Sequence, residues 1–324
     1  YFIQLMNKSN VSKVSNAKQN IRSNYYQDVL FHVGFEKYED SPGSGFQQLL
    51  DNDGLSFKDF IKKITSTANF RLKPKGEFIE HLFKEIYDKN WVNIELLYFK
   101  VIHRNKHNED KVLQFNEQLA FLKKSLVEYL KTVSSSYEKN DELVDLMNEK
   151  MSRELEYDKL KPLTLISKSI VNKSYFLNFN YTKILKDTIS DKYFKENKYE
   201  INNIHGLIDH EEVDLDKIIF GYGDEDSLEF QDLLKENKEY LLENIKTYKY
   251  LESDNYDSLH RFINGVDFYQ VIIIGHSCQL SDKVLLNEIF QNENCFSIKL
   301  FHYNGIKEYT NKTMNISRVV KDLS

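Results

Sequence analysis

Apolar residues recur every three or four positions through much of the first half of the chain and gather into short unbroken runs in the second. From Glu77 to Lys100, Phe78, Ile79, Leu82, Phe83 and Ile86, followed by Trp91, Ile94, Leu97 and Tyr98, predict two amphipathic helices parted near Asp88-Lys89-Asn90. Val112, Phe115, Leu119, Leu122, Leu126, Tyr129 and Val133 draw one apolar stripe along a longer helix. A further helix is expected from Asp141 to about Lys159, with Pro162 closing the helical region. Residues before about position 60 are polar and irregular, and Pro42-Gly43-Ser44-Gly45 reads as a surface loop.

Beyond Pro162 the runs Ser174 to Asn180, Ile201 to His205, Lys217 to Phe220, Phe268 to Ile274 and Phe296 to Tyr303 are bounded by Asn, Gly, Asp and His and predict strands. Leu228 to Tyr250 and Asp282 to Gln291 read as helical. Strands alternating with helices specify an α/β class with a Rossmann-like, mainly parallel sheet, and a substantial helical region inserted into it or appended to it. The expected division is a mostly helical region over 1–165 and a nucleotide-binding core over 166–324.

With 41% hydrophobic and 29% charged residues, the chain has the composition of an ordinary folded protein. No apolar run approaches the roughly 18 residues of a spanning helix, and no signal-peptide pattern opens the sequence, so no membrane partner and a cytoplasmic location are expected. The two cysteines, Cys278 and Cys295, suit a reducing compartment and form no disulfide scaffold. A formal net charge of −6 provides no global basic field for nucleic acid.

Ligands of open parallel α/β sheets bind at the carboxyl ends of strands, where four clusters fall. They are Phe179-Asn180-Tyr181-Thr182, Ile204-His205-Gly206, Phe220-Gly221-Tyr222-Gly223-Asp224, and Gly275-His276-Ser277 with Ser281-Asp282 after it. Gly275, following the run Val271 to Ile274, permits a tight turn, and the helix opening at Asp282 directs backbone N–H groups toward a phosphate or ribose. The bland reading is a strand-to-helix turn capped by Ser281 or Asp282. An amide such as Asn180 can orient a hydroxyl or water, and a histidine such as His205 can take its proton near neutral pH. That pair suits cleavage of the nicotinamide–ribose bond of NAD, whose leaving group is already cationic. Equally, Asn180 can end a strand and His205 can be a packing residue.

The ordered series Phe-Asn-Tyr-Thr, His-Gly, Phe-Gly-Tyr-Gly and Gly-His-Ser, with Ser-Asp beyond, resembles the AbiH abortive-infection family and, more loosely, sirtuin-like NAD-binding domains. Trp91-Val92-Asn93-Ile94-Glu95 is similar to a Trp-and-Glu helix of AbiH proteins. The resemblance implies catalysis by Asn180 and His205. It implies NAD, as substrate, held by Tyr181, Thr182, Gly206, Gly221, Gly223, Gly275, His276, Ser277 and Asp282, with no metal. It further implies an antiphage effector that hydrolyses NAD, with a homo-oligomer or a defence-system protein as partner and a phage-derived trigger. Thr182 stands where the sirtuin-type element carries Asp. A Gly-Asn-Gly-Phe-Asp-like loop is not found, Val33-Gly34-Phe35-Glu36 being a poor substitute, so either that element is expected to precede Tyr1 or the cofactor site is expected to be degenerate.

Two other classes are weighed against the hydrolase: a nucleotide-binding sensor without catalysis, and a toxin nuclease on the same fold, for which no metal-ligand spacing is evident. His103 and His107 share helical spacing but lack a third ligand and read as solvated. Cys278 reads as a small buried hydrophobe rather than a reactive thiol. Asp224-Glu225-Asp226 reads as a solvated loop.

Overall fold

The computed structural model describes residues 35–36, 73–74, 76–88, 94–135, 173–189, 198–208, 213–302 and 305–320. The Pro42 loop, the glycine substitute at Val33-Gly34, Trp91, the helix expected over 141–159, Pro162 and Tyr303 lie outside them. So do the side chains of Phe83, Ile86 and Val133.

In chain order the elements begin with β1 (Phe35–Glu36) and β2 (Lys73–Pro74), a short antiparallel pair. Three helices follow: α1 (Glu77–Asp88), α2 (Ile94–Arg104) and α3 (Glu109–Ser135). Next come β3 (Lys173–Asn178), α4 (Ile184–Thr188) and β4 (Lys198–Asn203). Short helices α5 (Leu228–Lys235), α6 (Glu239–Leu242) and α7 (Lys246–Leu251) lead into α8 (Asp254–Asn264). The chain then forms β5 (Tyr269–Ile273), α9 (Lys283–Gln291), β6 (Cys295–Leu300) and α10 (Gly305–Val319).

The chain forms two compact units, Tyr1–Tyr129 with Leu228–Glu243, and Leu130–Ser227 with Asn244–Ser324. In the first, the helical spacing read from the sequence closes a core. Phe78 and Ile79 of α1, Tyr98, Val101 and Ile102 of α2, and Val112, Phe115 and Leu119 of α3 are all no more than 2% exposed. The Phe78 ring meets Tyr98 and Phe115 edge to face at 5.9 and 6.4 Å. Tyr98 donates to Asn116 Oδ1 at 2.6 Å, and the Asn116 amide donates to the Tyr240 carbonyl and the Glu243 carboxylate, which satisfies the Tyr98 hydroxyl and the Asn116 amide beside this core. Further along α3 the buried face moves from the expected Leu126 to Val127. His103 pairs with Asp232 and His107 with Glu236, so the two histidines serve separate carboxylates.

The second unit mixes helices with short parallel sheets. Strands β3 and β4 pair in parallel, Lys173 opposite Lys198 through Asn178 opposite Asn203, and β5 pairs in parallel with β6 through the α9 crossover. The mainly parallel sheet expected from the sequence is thus present as two separate two-stranded pairs. One apolar cluster joins them, with Ile204, Ile219, Tyr250, Leu259, Ile263, Ile273, Cys278, Leu285 and Phe290 at its centre and Tyr175, Leu177 and Val271 against it.

Two expected elements change. Lys217 to Phe220 is not a ladder strand. A 3-10 turn covers Leu215–Lys217, and Ile219 N–H then makes a single bond to the His205 carbonyl at 2.9 Å. The segment from Leu228 to Tyr250 is three helices rather than one. Asn237 takes a φ of +50°, and Ile245 is extended before α7, so the backbone ladder is interrupted at both points. Among the described residues no helix is long and apolar enough to cross a membrane.

Candidate functional site

Strands β3 and β4 run in register, so the residues beyond their carboxyl ends emerge side by side. Phe179 and Asn180 follow β3, and His205 follows β4 after a turn closed by Gly206 N–H to the Asn203 carbonyl at 2.8 Å. This turn needs glycine. Gly206 has φ +91°, and a Cβ there would lie 2.4 Å from the Lys217 carbonyl oxygen.

His205 is 4% exposed, held by groups from three other parts of the unit. Its Nδ1 lies 3.3 Å from the Phe179 carbonyl, and its Nε2 lies 2.9 Å from the Tyr250 hydroxyl and 3.3 Å from Asp282 Oδ1. Phe179 meets the imidazole edge-on with ring centres 5.4 Å apart, and Tyr181 tilts over it at 5.8 Å.

Gly275, with φ +70°, turns the chain out of β5, and Cys278 follows with φ +53°. In that turn the Cys278 N–H donates to His276 Nδ1 at 3.0 Å. Because a backbone N–H can only donate, Nδ1 is the unprotonated nitrogen and Nε2 carries the hydrogen toward Asp282 Oδ2, 3.5 Å away. The His276 ring also lies 4.2 Å from that of Phe179.

Asp282 is the hub. It occupies the residue before α9, yet its side chain makes no capping bond; its carboxylate instead takes Lys246 Nζ at 2.7 Å and faces both histidines. Burial alone would push this carboxyl up. The Lys246 ammonium and the hydrogen bonds from His205 and His276 outweigh that effect and hold it well below the usual carboxylate range. Lys246 is itself 2% exposed, so the pair is a buried ion bridge.

A second bridge adjoins the first. Lys283 donates to Asp224 Oδ1 at 2.9 Å, and the Tyr222 hydroxyl donates to the other oxygen at 3.4 Å. Asp224, 6% exposed, is therefore not part of a solvated loop as expected, because Lys283 compensates its burial. Gly221 and Gly223 let this segment approach the next: a Cβ at Gly221 would lie 2.0 Å from the Asn244 carbonyl oxygen, and one at Gly223 would lie 3.2 Å from the Ser281 carbonyl.

The structure thus gathers Tyr181, His205, His276 and Asp282 around one point, with Phe179 between the histidines. Asn180 stands exposed at the rim, Thr182 is buried in an isolated parallel bridge to Ile208, and Ser277 points outward. Ser277 lines a cavity of about 490 Å³ with Gln279 and α10 residues including Lys312, Asn315 and Arg318, and His205 is not among its lining residues. Its carbonyl accepts from the Asn315 amide at 2.9 Å. Cys278 is fully buried, and desolvation pushes its thiol up to about 12, so it is a packing residue without a thiolate at neutral pH. Sequence reasoning missed Lys246, Tyr250 and Asn178. Lys246 and Tyr250 are ordinary residues of an amphipathic helix until the fold brings them to Asp282 and His205.

The family model for Bacteriophage abortive infection AbiH matches residues 48–303, and the chain belongs to that family. Neither the curated proteins nor the solved structures searched contain a match to it. Family membership places the protein in abortive infection, the defence by which an infected bacterium limits phage.

Proposed function

We propose that this protein is a cytoplasmic abortive-infection effector that hydrolyses NAD at the nicotinamide–ribose bond, using its second unit as a Rossmann-like, sirtuin-related nucleotide site. One observation carries the reading: His205 and His276, from the ends of two different strands, meet around the single buried carboxylate of Asp282, with Phe179, the neighbour of Asn180, against both rings. Asp282 Oδ1, 3.3 Å from Nε2, stabilises the imidazolium that His205 becomes on taking a proton. In the reaction the C1′–N bond breaks with its electron pair leaving on nicotinamide. A water oxygen bonds C1′, and the water proton passes to the His205 imidazole. Asn180 orients the ribose hydroxyl or the water from the rim.

His205 is covered in the state described, with groups facing both ring nitrogens. That burial favours a second reading, a nucleotide-binding sensor without turnover. NAD content measured through phage infection separates the two. The hydrolase reading predicts that NAD falls in cells carrying the wild-type protein and is spared with His205→Ala. Protection against phage with NAD undiminished supports the sensor and contradicts the hydrolase.

A further inference from the structure

Asn178, the last residue of β3, is 4% exposed; its carbonyl accepts from Ile204 N–H at 3.1 Å as a strand end does, while its side-chain amide has partners of its own. Its Oδ1 accepts two hydrogen bonds from Asn180, from the backbone N–H at 3.0 Å and from the side-chain amide at 3.2 Å. Its Nδ2 donates to Asn203 Oδ1 at 2.8 Å and to the Thr182 carbonyl at 3.4 Å.

Two backbone groups fix which end of this amide is which. The Asn180 N–H can only donate, so the atom facing it is oxygen; the Thr182 carbonyl can only accept, so the atom facing it is nitrogen. Asn180 therefore turns its own NH2 inward to Asn178, and its Oδ1 is left outward with no protein partner among the described residues. The arrangement is anchored further back, because the Asn203 carbonyl accepts from the Asn255 amide at 2.7 Å.

We infer that Asn178 is a positioning residue whose buried amide locks Asn180 with its carbonyl oxygen outward, so that Asn180 offers a hydrogen-bond acceptor, not a donor, to a hydroxyl of the substrate. The substrate part of this inference rests on the NAD-hydrolase reading; the locking of Asn180 does not. An acceptor at the rim selects a ligand that carries a hydroxyl at that point and discriminates against its deoxy counterpart, since an acceptor that the bound ligand strips of water and leaves unpaired is costly.

Asparagine-selective nitrogen-15 labelling tests the lock, with Asn180→Asp identifying the Asn180 amide signal by its loss. In the wild type one Asn180 amide proton is expected downfield of its position in free asparagine. Asn178→Ala returns it to the free position, and Asn202→Ala, which alters a neighbouring amide that does not touch Asn180, leaves it in place. Asn178→Asp keeps an acceptor oxygen and retains the downfield shift, which covers the case in which the alanine variant fails to fold. An Asn180 signal already at the free position, or one unmoved by Asn178→Ala in a folded protein, overturns the inference. For turnover, Asn178→Ala is expected to lower nicotinamide release as far as Asn180→Ala does, and the double variant to go no lower, because both remove one interaction. Additive losses contradict the coupling. The amide shift needs no turnover, so the lock and the hydrolase reading fail separately.

Discussion

Lys246 Nζ lies 2.7 Å from Asp282 Oδ1, and both side chains are buried beside His205. Removing one partner of such a bridge strands the other charge, a loss of roughly 3–5 kcal/mol, whereas replacing both by apolar groups of similar size is far less costly. Lys246→Met is accordingly expected to lower stability by about that amount, and Lys246→Met with Asp282→Leu to restore much of it. Chemical denaturation of the single and double variants measures this, and a single variant as stable as the wild type contradicts the bridge.

The depressed Asp282 carboxyl gives acid stability a definite sign. The unfolded chain holds this proton with an ordinary pKa of about 3.9, the folded chain releases it more readily, and the stabilisation is complete above that value. It is lost as pH falls below about 4 toward the folded-state value. Asp282→Asn is therefore expected to be less stable than the wild type at neutral pH, with the gap narrowing as the solution is acidified through that range. Thermal melts at a series of pH values check it, and a gap that widens on acidification counts against it.

Thiol chemistry follows from burial. Cys278 is pushed up to about 12 and Cys295 to about 11, both by desolvation, so neither holds appreciable thiolate in the folded protein at neutral pH. An unfolded thiol ionises near 8.5, so these groups also withdraw stability as pH rises above about 8.5. Alkylation at pH 8 is expected to be slow in the native protein and fast in denaturant. Rapid native labelling of Cys278 would show that the Gly275 turn opens.

Gly206→Ala combines a φ of +91° with a Cβ 2.4 Å from the Lys217 carbonyl oxygen. A positive-φ alanine costs on the order of 1 kcal/mol or more before the clash is counted. The variant is expected to lose stability and to shift His205, which adjoins it, visible as loss of the His205 to Tyr250 contact in NMR spectra. An unperturbed melt and spectrum would contradict the assigned turn.

The helices of the first unit were legible because spacing and burial agree at Phe78, Tyr98, Phe115 and Leu119. Strands β3 and β5 were legible within a few residues because apolar runs end in Asn or Gly. The breaks between Leu228 and Tyr250 were not, since a positive φ at Asn237 and an extended Ile245 leave no mark in an amphipathic pattern. Helix α8 carried a signal that went unused: Ser253 caps it by accepting from Asn255 N–H at 3.2 Å, and Leu259 and Ile263 recur at helical spacing. At the site, sequence drew attention to His205 and Asp282 by their place after apolar runs. Their partners were hidden because Tyr250 stands 45 residues from His205 and Lys246 stands 36 from Asp282, distances that only the tertiary fold closes.

Nicotinamide released from NAD by purified protein, alone and with extract of phage-infected cells to supply a trigger, tests the central proposal most directly. The account predicts release by the wild type that is abolished in His205→Ala and strongly reduced in Asn180→Ala. Release that survives both substitutions, or none from the wild type even with the extract, contradicts it.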